Sequence, residues 1–240
     1  MDENRAIYEA RAAQQYAEAR SLPDPRIDRK FARILELVRE QLPCAAFLDA
    51  GCGDGRYLAA LAPALPARRA GVDLSERILE TAALRVDADY RRATLEALPF
   101  ADGEFDLVLC TQVIEHVQDA DRGVTELARV LRPGGALVIS TDNARNYVSR
   151  VLNAPRTAAV AALRLRGARG RIESPATPNT PASFRALLER GGFRVERLET
   201  FRFHLMWPLD ARPLTRALNA IDARLPGHAL GDIVVAVARR

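Results

Sequence analysis

One stretch, LDAGCGDGRYL from Leu48 to Leu58, constrains this chain more than any other. Four apolar residues, Ala45 to Leu48, run into Asp49, and glycine then recurs at 51, 53 and 55. Tyr57, Leu58 and Leu61 follow at helical spacing, so the order is buried strand, glycine-rich turn, helix start. Glycine takes positive φ freely and has no Cβ to hold a ligand away. The helix that follows offers free N–H groups in its first turn, which suits a nucleotide-like group. On these glycines alone, a plain strand-to-helix turn stays open beside the ligand-binding reading.

A second marker favours the ligand. A short strand, Arg69 to Val72, ends in Asp73, twenty-two residues beyond Gly51. An acid at the end of the second strand, about 20 residues past the first glycine, is placed to accept from ribose hydroxyls.

The chain continues as the alternation expected of a doubly wound sheet. Strands are expected at 45–49, 68–73, 90–93, 105–110, 136–141, about 193–202 and 233–238, with helices at about 54–64, 75–86, 119–131 and 181–190. Pro133-Gly134-Gly135 reads as the turn feeding the fifth strand, and Gly191-Gly192 as a helix stop. Ahead of the sheet, an Ala-rich helix over 5–20 is broken by SLPDP at 21–25. A second helix then presents Ile27, Phe31, Ile34, Leu35 and Val38 on one face.

The 240 residues suit one domain with insertions and are enough for a full core. No apolar run approaches a membrane span, and the start MDENR does not read as a signal peptide. Cys44, Cys52 and Cys110 are odd in number and lack Cys-x-x-Cys spacing, which argues against a disulfide framework or a zinc site and suits a reducing cytoplasm.

Four motifs stand in order: LDAGCGDGRYL, GVDLSE (71–76), LEALPFADGEFDLVLCTQVIEHV (95–117) and LARVLRPGGALVIS (127–140). Together they resemble the class I S-adenosylmethionine-dependent methyltransferases, most of all their small-molecule, ubiquinone-pathway-like branch. The resemblance is dense over about 30–142 and thinner over SFRALLERGGFRV (183–195). It implies an α/β, Rossmann-like, doubly wound seven-stranded sheet whose last strand runs antiparallel between the fifth and sixth. It also implies S-adenosylmethionine as cofactor. The corresponding division is N-terminal helices and lid at 1–43, cofactor-binding core at 44–142, an Arg-rich helical insertion at 143–182, and the rest of the sheet at 183–240 with a helical excursion at 203–230.

By resemblance, Asp49 supports the glycine loop and the methionine ammonium, while Gly51, Cys52, Gly53 and Gly55 let the backbone approach the ligand. Asp73 takes the ribose hydroxyls and Leu74 packs on the adenine. Thr94 stands where the family often has an Asp that accepts from the adenine amino group, so that contact loses charge assistance. Leu95 and Thr111 complete the cofactor set. Glu115 and His116 follow the fourth strand at the rim where acceptor meets cofactor, and His116 is the candidate general base, being mostly neutral at pH 7. Against that, many relatives share the Glu-His pair and use the His only for structure or substrate orientation. Gln112, Tyr16 and Tyr147 are expected on the acceptor side, with Arg20 as an alternative lining residue for the N-terminal lid. Ubiquinone-pathway relatives carry Glu-x-x-Glu-His as a divalent-metal set; here Gln112 replaces the first acid, and no metal is expected. His204 and His228 read as surface groups.

Between Asn143 and Ile172 stand seven arginines and no acid, with apolar residues at helical spacing. This insertion reads as a solvated cap, a site for an anionic acceptor, or a peripheral docking face for an anionic membrane. Nucleic acid is the least favoured partner, since no binding module is recognisable. Three functions compete. The first is methyl transfer to oxygen, nitrogen or carbon of a small or lipid-linked acceptor. The others are an NAD-dependent oxidoreductase, whose usual loop is G-x-G-x-x-G rather than G-x-G-x-G, and a cofactor-binding regulatory subunit without turnover.

Overall fold

The structure, a computed structural model, describes residues 22–23, 28–144, 179–201 and 231–240. The expected N-terminal helix, with Tyr16 and Arg20, lies outside them. So do nearly all of the Arg-rich insertion with Tyr147, and the 203–230 excursion with His204 and His228.

Five helices and seven strands are described. Helix α1 spans Arg29–Arg39, β1 Ala46–Ala50, α2 Arg56–Leu61, β2 Arg68–Asp73, α3 Glu76–Ala83 and β3 Asp89–Arg92. Strand β4 follows at Phe105–Thr111, then a single 3-10 turn at Ile114–His116, α4 at Ala120–Val130 and β5 at Leu131–Asp142. Helix α5 (Pro181–Arg190), β6 (Arg194–Phe201) and β7 (Ile233–Arg239) complete the set. Local chemistry starts the helices. Asp28, Ser75, Asp119 and Thr180 each accept a backbone N–H three residues on. Thr180 also forms a reciprocal cap with Ser183, with Pro181 in the first turn.

The strands form one sheet in the order β3-β2-β1-β4-β5-β7-β6. β1 to β5 pair in parallel, and β7 lies antiparallel between β5 and β6, as the resemblance implies. Parallel central strands are covered on both faces and so are apolar throughout. On one face Phe31, Ile34 and Val38 of α1, Leu58 and Leu61 of α2 and Leu79 of α3 pack on Phe47, Leu107, Leu109 and Val138. On the other face Val124 and Leu127 of α4 and Phe184 and Leu188 of α5 pack on Leu48, Val108, Cys110 and Ile139.

The sequence reading needs correction at several ends. The helices expected at 54–64 and 75–86 are shorter by several residues, because their C-terminal turns tighten before Pro66 and Asp87. Pro133-Gly134-Gly135 is not a turn ahead of β5. It is an irregularity within the strand, exposed at Pro133 and Gly134 and buried at Gly135, where the register with β4 shifts between Phe105 and Leu107 and Gly134 takes φ +77°. Backbone bonds between Gly134 or Gly135 and Arg240 hold that segment to the end of β7.

The crossing point of the sheet is between β1 and β4, where the strand order reverses. In such sheets the crevice outside the carboxyl ends of the strands is where a ligand sits. Both insertions leave and rejoin the described core at that same edge. Asp142 pairs with Ile233, Phe201 pairs with Ile233, and Asn143 bridges Asn179.

Candidate active site

The glycine loop is held from below and from one side. The N–H groups of Gly51 and Cys52 both donate to the Val72 carbonyl, at 2.7 and 2.8 Å. Asp73 accepts from Gly53 N–H through Oδ2 and from Ser75 N–H through Oδ1, both at 3.0 Å. One carboxylate therefore joins the loop after β1 to the loop after β2. Gly51, at φ +89°, has no room for a side chain: a Cβ there would lie 2.1 Å from Val113 Cγ2. The segment after β4 thus sits directly over the first glycine.

Asp49 is fully buried at the end of β1, and neither of its oxygens has a hydrogen-bond partner. Burial first, then the neighbouring Asp73 and Asp54 carboxylates, push its pKa up to about 8. An unpaired buried carboxylate costs several kcal/mol, of order 2–5, until a cation or donor reaches it. Asp54, the fourth residue of the loop, is buried too but has the opposite environment. Arg56 grips it through Nε and a terminal nitrogen, at 2.8 and 3.2 Å, and Arg85 reaches its Oδ2 at 3.2 Å.

Across the crevice, β4 ends in Thr111, half-buried, and Gln112. Gln112 adopts φ +56°, a conformation costing a non-glycine residue roughly 1–2 kcal/mol. Its backbone N–H donates to Ser140 at 3.0 Å, while its buried side-chain nitrogen has no partner. The 3-10 turn then separates the Glu-His pair. Glu115 is 1% exposed, whereas His116 is exposed to solvent. Neither Glu115 oxygen has a hydrogen bond of normal geometry, and burial pushes its pKa up to about 7. The nearby Asp142 carboxylate adds to the rise, while the residue's own backbone, the Thr141 hydroxyl and Lys30 offset part of it. The Ser140 hydroxyl, also fully buried, has no partner either.

Most residues expected from the sequence do meet here: Asp49, Gly51, Cys52, Gly53, Gly55 and Asp73 on the β1–β2 side, Thr111, Gln112 and Glu115 on the β4–β5 side. Leu74 is half-buried and Leu95 buried, but Thr94 is exposed just past β3. Sequence reasoning singled out neither Val113 nor Ser140, although both lie within the quoted motifs, nor Asp54, whose position inside the loop was the available signal. Among the described residues no group of three or more His, Cys, Asp or Glu side chains could hold a metal ion. No described helix is long and apolar enough to cross a membrane.

This lining fits a ligand that is both cationic and hydroxyl-bearing. The unpartnered Asp49 carboxylate suits an ammonium, and the Asp73 carboxylate, an acceptor at the end of β2, suits vicinal hydroxyls.

Comparison with known proteins agrees. Residues 48–139 match the family described as "Methyltransferase domain". A Mycolicibacterium smegmatis protein named "Probable S-adenosylmethionine-dependent methyltransferase" is 33% identical over 204 residues, covering 80% of this chain and 71% of its own length. A ubiquinone biosynthesis O-methyltransferase of Hahella chejuensis is 40% identical over 111 residues, but the match spans only 44% of this chain and 46% of that protein. A crystal structure of a SAM-dependent methyltransferase from Thermotoga maritima superposes with a TM-score of 0.66, at 22% identity, over 99% of both chains. Fold, cofactor-loop chemistry and relatedness converge: the chain belongs to the class I S-adenosylmethionine-dependent methyltransferases, and S-adenosylmethionine is its cofactor.

Proposed function

We propose that the chain transfers a methyl group to a hydroxyl of a small or lipid-linked acceptor, with Glu115 receiving the hydroxyl proton. The observation that carries this reading is the buried Glu115 carboxylate, which has no partner and stands on the β4–β5 side of the crevice. A hydroxyl is a weak nucleophile until its proton has somewhere to go, and a group with a pKa near 7 is matched to that task at neutral pH. The names of the Hahella chejuensis and related O-methyltransferases support oxygen as the acceptor atom, although those matches span about half of each relative.

When bound, S-adenosylmethionine supplies an electrophilic methyl on a sulfonium. The residues of this chain do the rest. Asp49 neutralises the methionine ammonium, Asp73 orients the ribose, and Thr111 and the loop glycines line the wall between them. On the acceptor side Glu115 would orient the hydroxyl and receive its proton. Gln112 offers its unpaired amide nitrogen to a neighbouring oxygen of the acceptor. Holding nucleophile and methyl at near-attack distance supplies on the order of 7–11 kcal/mol of barrier lowering. His116, exposed on the same turn, serves the acceptor's outer portion rather than the reacting atom.

With this cofactor the dehydrogenase reading has no role, and the competing reading is a cofactor-binding subunit without turnover. The test is transfer of tritium from methyl-labelled S-adenosylmethionine into a cell extract, followed by solvent partition and alkaline treatment. Label is expected in an alkali-stable ether, and partition into organic solvent marks a lipid-linked acceptor. Glu115→Gln is expected to slow transfer by roughly a hundredfold or more, with binding of S-adenosylhomocysteine unchanged. In the wild type the rate rises with pH through about 7, as the carboxyl ionises, and this limb disappears in the variant. Tight cofactor binding with no labelled product would establish the regulatory reading instead.

A further inference from the structure

We propose that Asp54 and Arg85 form a positioning pair that sets cofactor affinity without touching the cofactor, by clamping the glycine loop to the C-terminal end of α3. Asp54 is 1% exposed, and Arg85, two residues beyond the end of α3, reaches its Oδ2 at 3.2 Å. Arg56 takes both oxygens from within the loop's own helix, at 2.8 and 3.2 Å. Two guanidinium groups therefore occupy this carboxylate, which leaves it poorly suited to receive a ligand. Asp49, in the same loop, has no partner for either oxygen. The two acids divide the work: one faces outward in chemistry, the other anchors.

The anchor has a second component. Gly55, at φ +72°, packs so closely on α3 that an added Cβ would lie 3.0 Å from Ala82 Cβ and 3.2 Å from the Tyr90 hydroxyl. Tyr90 in turn donates to a carbonyl at the end of α3, Ala82 or Val86, at 3.3 and 3.1 Å. Ala82 and Arg85, one turn apart, thus present a steric stop and a charge to the same loop. At the other end of α3, Asp73 receives N–H groups from Gly53 and from Ser75, the residue that caps the helix. Helix α3 is therefore a strut fastened to the loop at both ends: through Asp73 near its start and through Arg85 near its finish. Only the first fastening uses a residue expected to touch the cofactor. The second acts at a distance, by fixing where the loop N–H groups and the bare Cα of Gly53 stand.

The pair is tested by calorimetric titration of S-adenosylhomocysteine into wild type, Asp54→Asn, Arg85→Met, the double variant and Arg85→Lys. Each titration runs well below that variant's melting midpoint. Single variants are expected to bind on the order of tenfold more weakly, with the double variant no weaker than either single one. Arg85→Lys is expected to restore part of the loss, because it keeps a cation within reach. Amide hydrogen exchange in the apo protein is expected to quicken over 51–56 in Arg85→Met and to stay unchanged over β4. If melting midpoints fall while all variants bind within twofold of wild type, the pair is merely structural and the proposal is overturned. Additive losses in the double variant overturn it equally. Should Asp54→Asn fail to fold, Arg85→Met and Arg85→Lys decide the question through affinity and exchange together. Methyl transfer plays no part in these readouts, so failure of the hydroxyl-acceptor reading leaves their result standing.

Discussion

The two ends of the sheet treat polar groups in opposite ways. At the amino end, carboxylates are matched donor for donor. Asp106 accepts the N–H groups of Ala45 and Ala46 at 2.9 and 2.6 Å and also pairs with Arg132. Arg129 places all its guanidinium nitrogens on Glu126, Asp102 and the carbonyls of Leu98 and Phe100. Glu126 and Asp89 are held below the ordinary carboxylate range by hydrogen bonds from Arg129 and Arg91. At the carboxyl end, Asp49, Glu115 and Ser140 are buried with no partner, and both acids titrate above that range. Asp54 and Asp73 at that end are held by donors, but each orphaned group beside them is one that a ligand atom can satisfy. Stability and binding should therefore separate along the strand axis.

The largest effect should come from Asp49. Replacing it with Ala removes the buried carboxylate that we propose faces the cofactor ammonium, and affinity for S-adenosylhomocysteine should fall by about two orders of magnitude or more. Apo-protein stability should move the other way. An acid whose folded pKa lies near 8, against about 3.9 unfolded, binds more protons folded than unfolded between those values. Stability from the neutral form is thus full below about pH 4 and is lost as pH rises toward 8. Asp49→Asn cannot ionise, so its apo protein should melt above wild type at pH 8, with the difference closing at pH 4. Wild-type cofactor affinity should in turn weaken as pH falls below about 8. Thermal melts and calorimetry across that range check both signs. A variant that loses binding and stability together at pH 8 would break the separation.

How much of this was legible in the sequence depends on how local the signal was. The glycine loop, Asp49 and Asp73 announced themselves by spacing, and the strands by apolar runs, because short-range geometry dictates both. The fate of neighbouring residues did not. Glu115 and His116, both candidates from the sequence, are adjacent, yet a single 3-10 turn buries the first and exposes the second, a difference no spacing announces. Val113 closing over Gly51, and Arg85 reaching Asp54, are tertiary pairings with no periodicity to betray them. Asp54 in a polar loop reads as solvated until its partners are known. Pro133-Gly134-Gly135 was misjudged because Pro and Gly mark turns and strand irregularities alike.

The amino end supplies the reverse case, of intermediate size. Arg129→Met would strand Glu126 and Asp102 and free the carbonyls of Leu98 and Phe100. Its side chain is 29% exposed, so water recovers part of the loss. A cost of about 2 kcal/mol follows from several lost charge-assisted bonds discounted for that exposure. Affinity for S-adenosylhomocysteine should stay within twofold, which denaturant titration and calorimetry on one preparation will show.

The smallest effect tests where the boundary runs. Arg33 of α1 grips Glu199 of the outer strand β6 through Nε at 2.6 Å and a terminal nitrogen at 3.0 Å, and it also reaches Glu36. Both partners are partly exposed, so a double-mutant cycle on Arg33→Met and Glu199→Gln should return about 0.5–1 kcal/mol. What makes the pair informative is its position on α1. That helix is capped by Asp28 and carries in its first turn Lys30, whose charge acts on Glu115. If the division between ends is sharp, breaking the pair one turn further in lowers stability by that amount and leaves binding and the pH limb near 7 unmoved. A shift of that limb would show that α1 conveys strain to Glu115. The functional end would then extend down the helix by at least one turn.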